Sequence, residues 1–293
     1  MNDQRSMKVA DHYNKIQSLT FGERKMSKII NLRNINNFIK AVLINLYVKQ
    51  NDTVLDLGCG KGGDLLKYKK RGIKYLYGID IANESINEFE RRIHSQNKPF
   101  DVDLSVNDIC NEEIDLKKQF DVISLQFSLH YSFETEKTFK TLFNTILRHS
   151  KIGTRILITT IDQSSILKMY NEKLVTNKPC GHCKKQSMCV GNSLFHIKLG
   201  DITKYKTFGN VYSFFLNEAV DECEEFLLPC GFLVDEFEQN GFELKENKCF
   251  GNFLEKYKDK FSYLRKRMVP NEPSKEEKEV IDIYRALVLE KIE

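Results

Sequence analysis

Residues 55–66 of this 293-residue chain read LDLGCGKGGDLL, and this stretch decides the fold. The apolar run 53–57 is typical of a strand buried on both faces, and the loop 58–63 that follows it holds four glycines. Gly58 and Gly60 allow the backbone to turn sharply and a ligand to approach it closely. Ligands of parallel α/β sheets bind beyond the carboxyl ends of the strands, so the loop predicts a ligand site at that edge.

Short apolar runs alternate with helical patterns on either side of the loop. Helices are predicted at 29–46, 62–71, 84–95, 134–148, 231–239 and 253–268, most clearly at 29–46, where apolar residues recur at steps of three and four. Strands are predicted at 53–57, 75–79, 102–106, 120–125, 155–160, 242–250 and 281–289. This alternation predicts an α/β fold of the Rossmann-like type, with a mostly parallel seven-stranded sheet and helices on both faces.

Two segments fall outside the alternation. Residues 1–28 form a basic N-terminal arm, and residues 163–230, with one strand candidate at 211–216, form a lid inserted into the core. No repeat or linker divides the chain, so 1–293 is predicted to be a single domain. The cations of the arm are either a solvated face or a site for an anionic ligand such as a phosphate chain. The net charge of +4 is too small to decide between them.

Three aspartates lie in or directly after the carboxyl ends of the first three strands of the alternation. The loop formally fits the G-x-G-x-x-G string of dinucleotide folds, and Asp80 can accept from the ribose hydroxyls of either cofactor class. Asp56 lies at the strand end before the loop, where an S-adenosylmethionine-dependent methyltransferase places a carboxylate near the methionine part, so it favours that class. Asp108 can accept from the exocyclic amine of adenine.

Three motifs together resemble one family. GCGKGGD at 58–64, GIDIANESI at 78–86 and QFSLHYSF at 126–133 resemble the eukaryotic and viral mRNA cap guanine-N7 methyltransferases, strongly over 31–160 and more weakly over 205–230 and 275–291. The resemblance implies a class I methyltransferase fold, S-adenosyl-L-methionine as cofactor and GpppN-capped pre-mRNA as substrate. It also implies other capping enzymes or RNA polymerase as candidate partners. The expected location is the nucleus, or the cytoplasm for a protein of a cytoplasmic virus.

The resemblance also implies which residues bind the cofactor. Lys40 matches a lysine for the methionine carboxylate, Asp56 and Gly58 match contacts to its amine, and Asp80 matches the ribose ligand. The remaining implied contacts, two at the adenine and two beside the cofactor, are Asp108, Ile109, Gln126 and Ser128.

The cap site implied by the same resemblance has three parts. The guanine pocket comprises a pair after the fourth strand, two lid residues and one residue near the C-terminus, which are His130, Tyr131, Tyr212, Glu225 and Tyr284. Lys61 and Arg92 are placed to meet the cap phosphates, and Asn36 is a neighbour of the cap. One departure is Ile161, which stands where the family often has a proline that packs on the cap.

The implied reaction needs no general base. Guanine N7 has an available lone pair at neutral pH, so proximity and electrostatics suffice for an in-line methyl transfer. Two alternatives stay open at this point. One is a methyltransferase of tRNA or of a small molecule, which keeps the glycine loop and loses the guanine pocket. The other is a non-catalytic RNA-binding subunit.

The cysteines carry two further expectations. Eight cysteines, a polar N-terminus without a secretory signal and the lack of a long apolar run indicate a reducing compartment and no membrane partner. Cys180, His182, Cys183 and Cys189 are candidate ligands of a structural zinc ion. Because the second Cys-x-x-Cys pair of a closed site is missing, ordinary reduced cysteines are the alternative.

Overall fold

A computed structural model describes residues 2–15, 22, 26–176, 189–200 and 205–293. The helices are α1 (Asn2–Lys15), α2 (Ile30–Tyr47), α3 (Leu65–Arg71), α4 (Asn83–Ser95), α5 (Glu136–His149), α6 (Gln163–Thr176), α7 (Cys230–Gln239), α8 (Phe250–Tyr257), α9 (Ser262–Met268) and α10 (Lys275–Asp282), with a 3₁₀ helix at Leu129–Glu134. The strands are β1 (Thr53–Leu57), β2 (Tyr75–Asp80), β3 (Asp101–Val106), β4 (Phe120–Gln126), β5 (Ser150–Ile161), β6 (Cys189–Gly191), β7 (Phe195–Leu199), β8 (Val211–Leu216), β9 (Val220–Phe226), β10 (Phe242–Cys249) and β11 (Tyr284–Lys291).

The central sheet has seven strands in the order β10-β11-β5-β4-β1-β2-β3. The five strands β5, β4, β1, β2 and β3 are parallel to one another, and β11 runs antiparallel to both β5 and β10. This confirms the mostly parallel seven-stranded sheet that the alternation predicts. The carboxyl ends of β1, β2 and β4 therefore meet at one edge, directly beside the glycine loop.

Both faces of the sheet are covered by helices. Along β1, Val54 packs with the apolar residues of α2, α3 and α4, whereas its neighbour Leu55 packs with those of α5 and α7. Side chains of successive strand residues point to opposite faces, so a strand buried on both faces is apolar at nearly every position. The same packing fixes the direction of β1 and hence the place where the glycine loop leaves the sheet.

A second, antiparallel sheet has the order β6-β7-β8-β9 and is formed by the residues between α6 and α7. The sequence predicted β8 in this segment but not the other three strands. The pattern of β9, VDECEEF, is dominated by carboxylates, which are depleted in strands, and its inward positions include Cys223 and Glu225. Neither residue signals a core strand in the sequence, so β9 is visible only from its pairing with β8.

Three other expectations differ from the structure. The predicted basic helix 253–268 is two helices, α8 and α9, interrupted at 258–261, and the predicted strand 281–289 begins only at Tyr284 because 281–282 close α10. The residues of the N-terminal arm include α1, a helix that packs on α4. None of the described helices combines the length and the apolar composition that a membrane span requires.

A buried ion pair joins the turn between α2 and β1 to β5. Arg155 lies 3.0 Å from Asp52, and both side chains are less than a tenth exposed. Arg155 also donates to the backbone oxygens of Tyr47 and Asp121. These bonds satisfy a charge that is otherwise expensive to bury, and they hold α2 in place on its sheet face.

Candidate active site

A cavity of about 310 Å³ lies at the carboxyl edge of β1, β2 and β4. Its wall includes the glycine loop, which turns at Gly58 with φ +82°, in the left-handed region. A Cβ atom at this position would lie 2.4 Å from Cβ of Ser128, so only glycine fits. The cavity lies within the roughly 300–1,000 Å³ typical of small-molecule sites.

Asp56 and Asp64 are two buried carboxyl groups in the wall of this cavity. Burial, with repulsion from Asp64, raises the pKa of Asp56 to about 8, against an opposing attraction from Lys40. Burial also raises the pKa of Asp64, but attraction to Lys40 and Lys67 outweighs it and lowers that pKa to about 2. Lys40 and Lys67 lie 2.9 and 2.7 Å from Asp64, so this carboxylate stays ionised between two cations, whereas Asp56 forms no ion pair with the described residues.

The aspartates after β2 and β3 are held by hydrogen bonds. Asp80 accepts from the backbone N–H groups of Gly60 and Ala82, at 2.8 and 2.9 Å. Burial raises the pKa of Asp80, while these two bonds oppose the rise. Asp108 accepts from the backbone N–H of Cys110 at 2.9 Å and from the Asn111 amide at 2.7 Å. Both carboxylates line the cavity in a fixed orientation.

The other residues implied to bind the cofactor line the same cavity. Ile109 forms part of its apolar wall, and the Gln126 amide accepts from the Thr159 hydroxyl at 3.1 Å. Ser128 donates to the backbone oxygen of Leu57 at 2.6 Å, which fastens the end of β4 to the end of β1. The structure thus brings all eight implied cofactor residues together.

Helix α1 supplies a wall that the sequence did not assign. Ser6, Val9 and Tyr13 line the cavity, and Ser6 donates to the Asp108 carboxylate. The hydroxyl of Tyr13 lies 2.9 Å from that of Tyr131, and burial, with Glu225 nearby, raises the pKa of Tyr13. Ser6, Val9 and Tyr13 follow one another at steps of three and four residues, which is the signal of one helical face. The high proportion of polar residues around them hides that signal.

A cluster of buried polar and aromatic side chains adjoins the cavity. Tyr212 and Glu225 lie opposite each other on β8 and β9, and the Tyr212 hydroxyl donates to the Glu225 carboxylate. His130 Nε2 lies 3.6 Å from the same carboxylate. Burial and Glu225 both raise the pKa of Tyr212 and of Tyr284. Glu225 is therefore the common neighbour of the residues that the resemblance implies for guanine.

His130 has unused hydrogen-bonding capacity. Its imidazole is 2% exposed, and neither ring nitrogen has a hydrogen-bond partner in the described part of the chain. Buried polar atoms normally have a partner, so two unsatisfied nitrogens beside Glu225 point to a polar ligand.

Phe127 separates the cavity from this cluster. It lines the cavity, and its ring contacts those of Tyr284 and Phe250 edge to face. Its φ of +63° is rare for an aromatic residue and is typical of backbone strain held at a functional site. Phe127 lies within the motif at 126–133, but nothing in the sequence indicates its role, because a sequence does not show a backbone dihedral angle. At the end of β5, Ile161 is 4% exposed and pairs with Tyr284.

The two residues implied for the cap phosphates and the implied neighbour of the cap lie elsewhere. Asn36, Lys61 and Arg92 line a separate groove beside α2 and not the cavity. Arg92 bonds Glu88 at 2.9 Å. Gly63 lines both the groove and the cavity, so the glycine loop is the wall between them.

Of the four candidate zinc ligands, only Cys189 lies in the part of the chain that the structure describes. Cys180, His182 and Cys183 lie outside the described residues, and Cys189 is buried at the start of β6. Within the described ranges, no group of three or more His, Cys, Asp and Glu residues is arranged to hold a metal ion. The zinc site stays a prediction.

A cavity at this edge of a mostly parallel sheet, beside a glycine turn and with a buried carboxyl group in its wall, is the arrangement of the class I S-adenosylmethionine-dependent methyltransferases. The CcbJ methyltransferase of Streptomyces caelestis has the same fold, with a TM-score of 0.57 at 10% identity over 97% of this chain and 96% of that one. A putative S-adenosylmethionine dependent methyltransferase of Listeria monocytogenes also has it, with a TM-score of 0.53 at 14% identity over 89% and 99%.

Within that class, the chain belongs to the mRNA (guanine-N(7))-methyltransferase domain family, whose sequence profile matches residues 1–292. It is 34% identical over 283 residues to mRNA cap guanine-N(7) methyltransferase 1 of Arabidopsis thaliana, covering 89% of this chain and 72% of that protein. It is 34% identical over 275 residues to the mRNA cap guanine-N(7) methyltransferase of Saccharomyces cerevisiae, covering 87% and 61%. The expected family and cofactor class are confirmed.

Proposed function

We propose that this chain transfers a methyl group from S-adenosyl-L-methionine to N7 of the guanine in the GpppN cap of mRNA. The observation that carries the proposal is the placement of the unsatisfied His130 imidazole and the buried Glu225 carboxylate directly beside the cofactor cavity. Tyr131 and Phe127 line that cavity and also contact this cluster, so a base bound there meets the cofactor. The family of the chain agrees with this substrate.

The residues of the cavity fit the cofactor. The carboxylate of Asp56 attracts the amino group of its methionine part, and Lys40 attracts the carboxylate of that part. Asp80 accepts from the ribose hydroxyls. Ile109 and Asp108 would hold the adenine, and Gln126 and Ser128 would contact the cofactor beside it. Ser128 also bonds the end of β4 to the end of β1. The cofactor supplies an electrophilic methyl group on a sulfonium centre when it is bound.

Guanine recognition falls to the cluster around Glu225. Its carboxylate accepts from the N–H groups on the Watson–Crick edge, and His130 donates to the guanine carbonyl oxygen. Tyr131, Tyr212 and Tyr284 form aromatic walls, where stacking on a base contributes about 1–3 kcal/mol.

A negative charge beside the guanine also stabilises the reaction itself. As the methyl group is transferred, positive charge develops on the guanine, and a buried carboxylate stabilises it more strongly than water does. None of the side chains beside the guanine needs to remove a proton, since N7 carries none. The chain therefore accelerates the reaction by holding two reactants in line, an effect worth up to about 7–11 kcal/mol in favourable cases.

The wider setting completes the proposal. Lys61 and Arg92 bind the cap phosphates and Asn36 lies next to them, so the phosphates leave the guanine pocket towards the groove beside α2. We also expect residues 1–293 to be one domain, with 1–28 as its basic N-terminal arm and 163–230 as a lid inserted within the core. Capped pre-mRNA is the RNA partner, with other capping enzymes or RNA polymerase as further partners, and the nucleus is the place of action. If the protein comes from a cytoplasmic virus, the place of action is the cytoplasm instead.

A transfer assay with labelled cofactor tests the substrate. GpppN-capped RNA, uncapped RNA and free GTP are offered separately, and transfer to capped RNA alone is expected. Transfer to uncapped RNA only would favour a tRNA-type enzyme. Cofactor binding without transfer to any of the three would favour a non-catalytic subunit.

Substitutions at the guanine cluster test the division of roles. Glu225→Gln and Tyr284→Ala are expected to abolish cap methylation while the affinity for the cofactor stays unchanged. Glu224→Gln is the matched control, because Glu224 is exposed on the opposite side of the same strand. Cofactor and cap analogue are titrated separately by calorimetry, and loss of both affinities together would contradict the separate sites.

A further inference from the structure

A groove of about 1,470 Å³ runs along α2, between α3 on one side and α9 on the other. Gly63 belongs to its wall and to the wall of the cofactor cavity, so the groove begins where the cavity ends. The residues that the proposed function assigns to the cap phosphates, Lys61 and Arg92, lie at this beginning. We call this surface the basic groove and define it by α2, Lys70 of α3 and Arg267 of α9.

The basic groove carries a strong excess of positive charge. Among its described lining residues are seven lysines and arginines and one carboxylate, that of Glu218. Lys67 is held by Asp64, but Lys70 and Arg267 are exposed and have no ion-pair partner in the described ranges. The whole chain has a net charge of only +4, so this is a local concentration of cations and not a bulk property.

The surface between these cations is mixed in character. Asn34, Asn37 and Asn45 lie along the groove side of α2, where amide groups can both donate and accept hydrogen bonds. The apolar surface of Leu66, which is 51% exposed, and of Met268 lies on the adjoining helices. Cations for phosphates, amides for hydroxyls and base edges, and apolar patches for bases are the three features of a single-stranded RNA site.

We propose that the basic groove binds the ribose–phosphate chain of the first nucleotides of the transcript, beyond the cap. The inference rests on the proposed function, because the groove receives whatever follows the cap phosphates at Lys61 and Arg92. RNA fits this surface better than an acidic protein segment does, since carboxylates use the cations but not the amide acceptors of α2. The groove thus makes a capped transcript a better substrate than the cap alone.

The test compares two substrates in two variants. Methylation of the dinucleotide GpppA and of a capped RNA of about 20 nucleotides is measured for the full chain between about 50 and about 200 mM salt. The variant Lys70→Glu/Arg267→Glu reverses one cation on each side of the groove. The control Lys140→Glu/Lys168→Glu changes the net charge equally at two exposed lysines on α5 and α6, away from the groove.

We expect the groove variant to raise KM for the capped RNA on the order of tenfold and to leave KM and kcat for GpppA unchanged. The dependence of log KM on log salt for the RNA becomes shallower by about 1.4, two phosphates at about 0.7 each. The control variant retains wild-type values for both substrates. The proposal would be overturned if the groove variant had the wild-type KM for the capped RNA. It would also be overturned if the groove variant lost as much activity on GpppA as on the capped RNA.

Binding measured without catalysis separates this inference from the proposed function. Fluorescence anisotropy with a labelled, uncapped RNA of about 20 nucleotides is expected to show weaker binding to the groove variant than to the control. This result would stand even if the chain methylated no cap. If polyglutamate instead bound the wild type more tightly than the RNA did, the groove would be a site for an acidic protein and the proposal would be wrong.

Discussion

Burial of the Asp56 carboxyl group lowers the stability of the fold, and the same group is proposed to bind the cofactor. The substitution Asp56→Asn separates these two effects. Burial raises the pKa of Asp56 to about 8. At pH 7 the carboxyl group is therefore about nine-tenths protonated before the cofactor binds. To attract the amino group of the cofactor it must ionise, so binding releases a proton from Asp56.

The expected consequence is an affinity that depends on pH. Below pH 8, the affinity of the wild type for S-adenosylmethionine should rise about tenfold per pH unit, since each unit of pKa corresponds to about 1.4 kcal/mol. Above pH 8 it should fall again, because α-amino groups lose their charge with a pKa of about 7.7–8.0. In Asp56→Asn the rising limb disappears. The affinity at pH 8 drops about 10–100-fold, the effect of losing a hydrogen bond between charged groups.

The same substitution should stabilise the fold. The pKa of Asp56 is about 8 when folded and 3.8 ordinarily, so the folded state keeps a proton that the unfolded state loses between these values. Stability therefore falls as pH rises through this window, by about 4 kcal/mol at pH 7 at about 1.4 kcal/mol per unit. Burial of the asparagine amide removes about 2 kcal/mol of that gain. A rise in Tm of about 4–8 °C remains at pH 7, disappears near pH 5 and becomes a decrease at about pH 4.

Calorimetric titration and thermal unfolding measure both effects. Methylthioadenosine, which lacks the amino and carboxylate groups, is the matched ligand, and its affinity should be independent of pH and of the substitution. A wild-type affinity for S-adenosylmethionine that is equal at pH 6 and pH 8 would refute the reasoning. An Asp56→Asn variant that binds as tightly as the wild type at pH 8 would also refute it.

Four further predictions concern other parts of the molecule. Arg155→Leu leaves the buried Asp52 carboxylate without its ion-pair partner, with only the backbone N–H of Lys49 still donating to it, and should lower the free energy of unfolding by about 3–5 kcal/mol in urea titrations. Gly58→Ala should abolish cofactor binding, because its Cβ would lie 2.4 Å from that of Ser128. Tyr13→Phe removes the hydrogen bond to Tyr131 and should raise the Kd for cofactor or cap about 3–10-fold. If the cysteine-rich segment binds zinc, purified protein contains one equivalent by elemental analysis and Cys183→Ser loses it.

The first two predictions each have a control variant, and the other two have an outcome that would contradict them. Arg148→Leu removes two solvent-accessible ion pairs, with Glu113 and Asp115, and should change stability by less than about 1 kcal/mol. Gly231→Ala should bind cofactor normally, because Gly231 does not line the cavity and nothing lies within 4 Å of its Cβ. Equal effects within either pair would contradict the corresponding explanation. An unchanged Kd in Tyr13→Phe would show that α1 covers the cavity without contributing to it, and a zinc content near zero would leave Cys189 and its neighbours as reduced thiols.

The sequence by itself determined the cofactor half of the site. The strand 53–57, the glycine turn and Asp80 are local features: apolar runs, residues without Cβ and one acid at a strand end. Each lies within or next to a predicted parallel strand, and parallel strands bring their carboxyl ends to one edge whatever the rest of the chain does. For that reason seven of the eight implied cofactor residues gather around one cavity, and the packing of α2 on the sheet adds Lys40.

Only the tertiary structure decided what surrounds that edge. Glu225 faces inward on β9, a strand so acidic that its pattern resembles a solvated segment, and it reaches His130 only through pairing with β8. Helix α1 closes the cavity with Tyr13, 118 residues away in sequence from its partner Tyr131. Lys61 leaves the glycine loop on the side away from the cavity, towards the basic groove. Such contacts depend on distant segments meeting, and neither periodicity nor composition encodes where they meet.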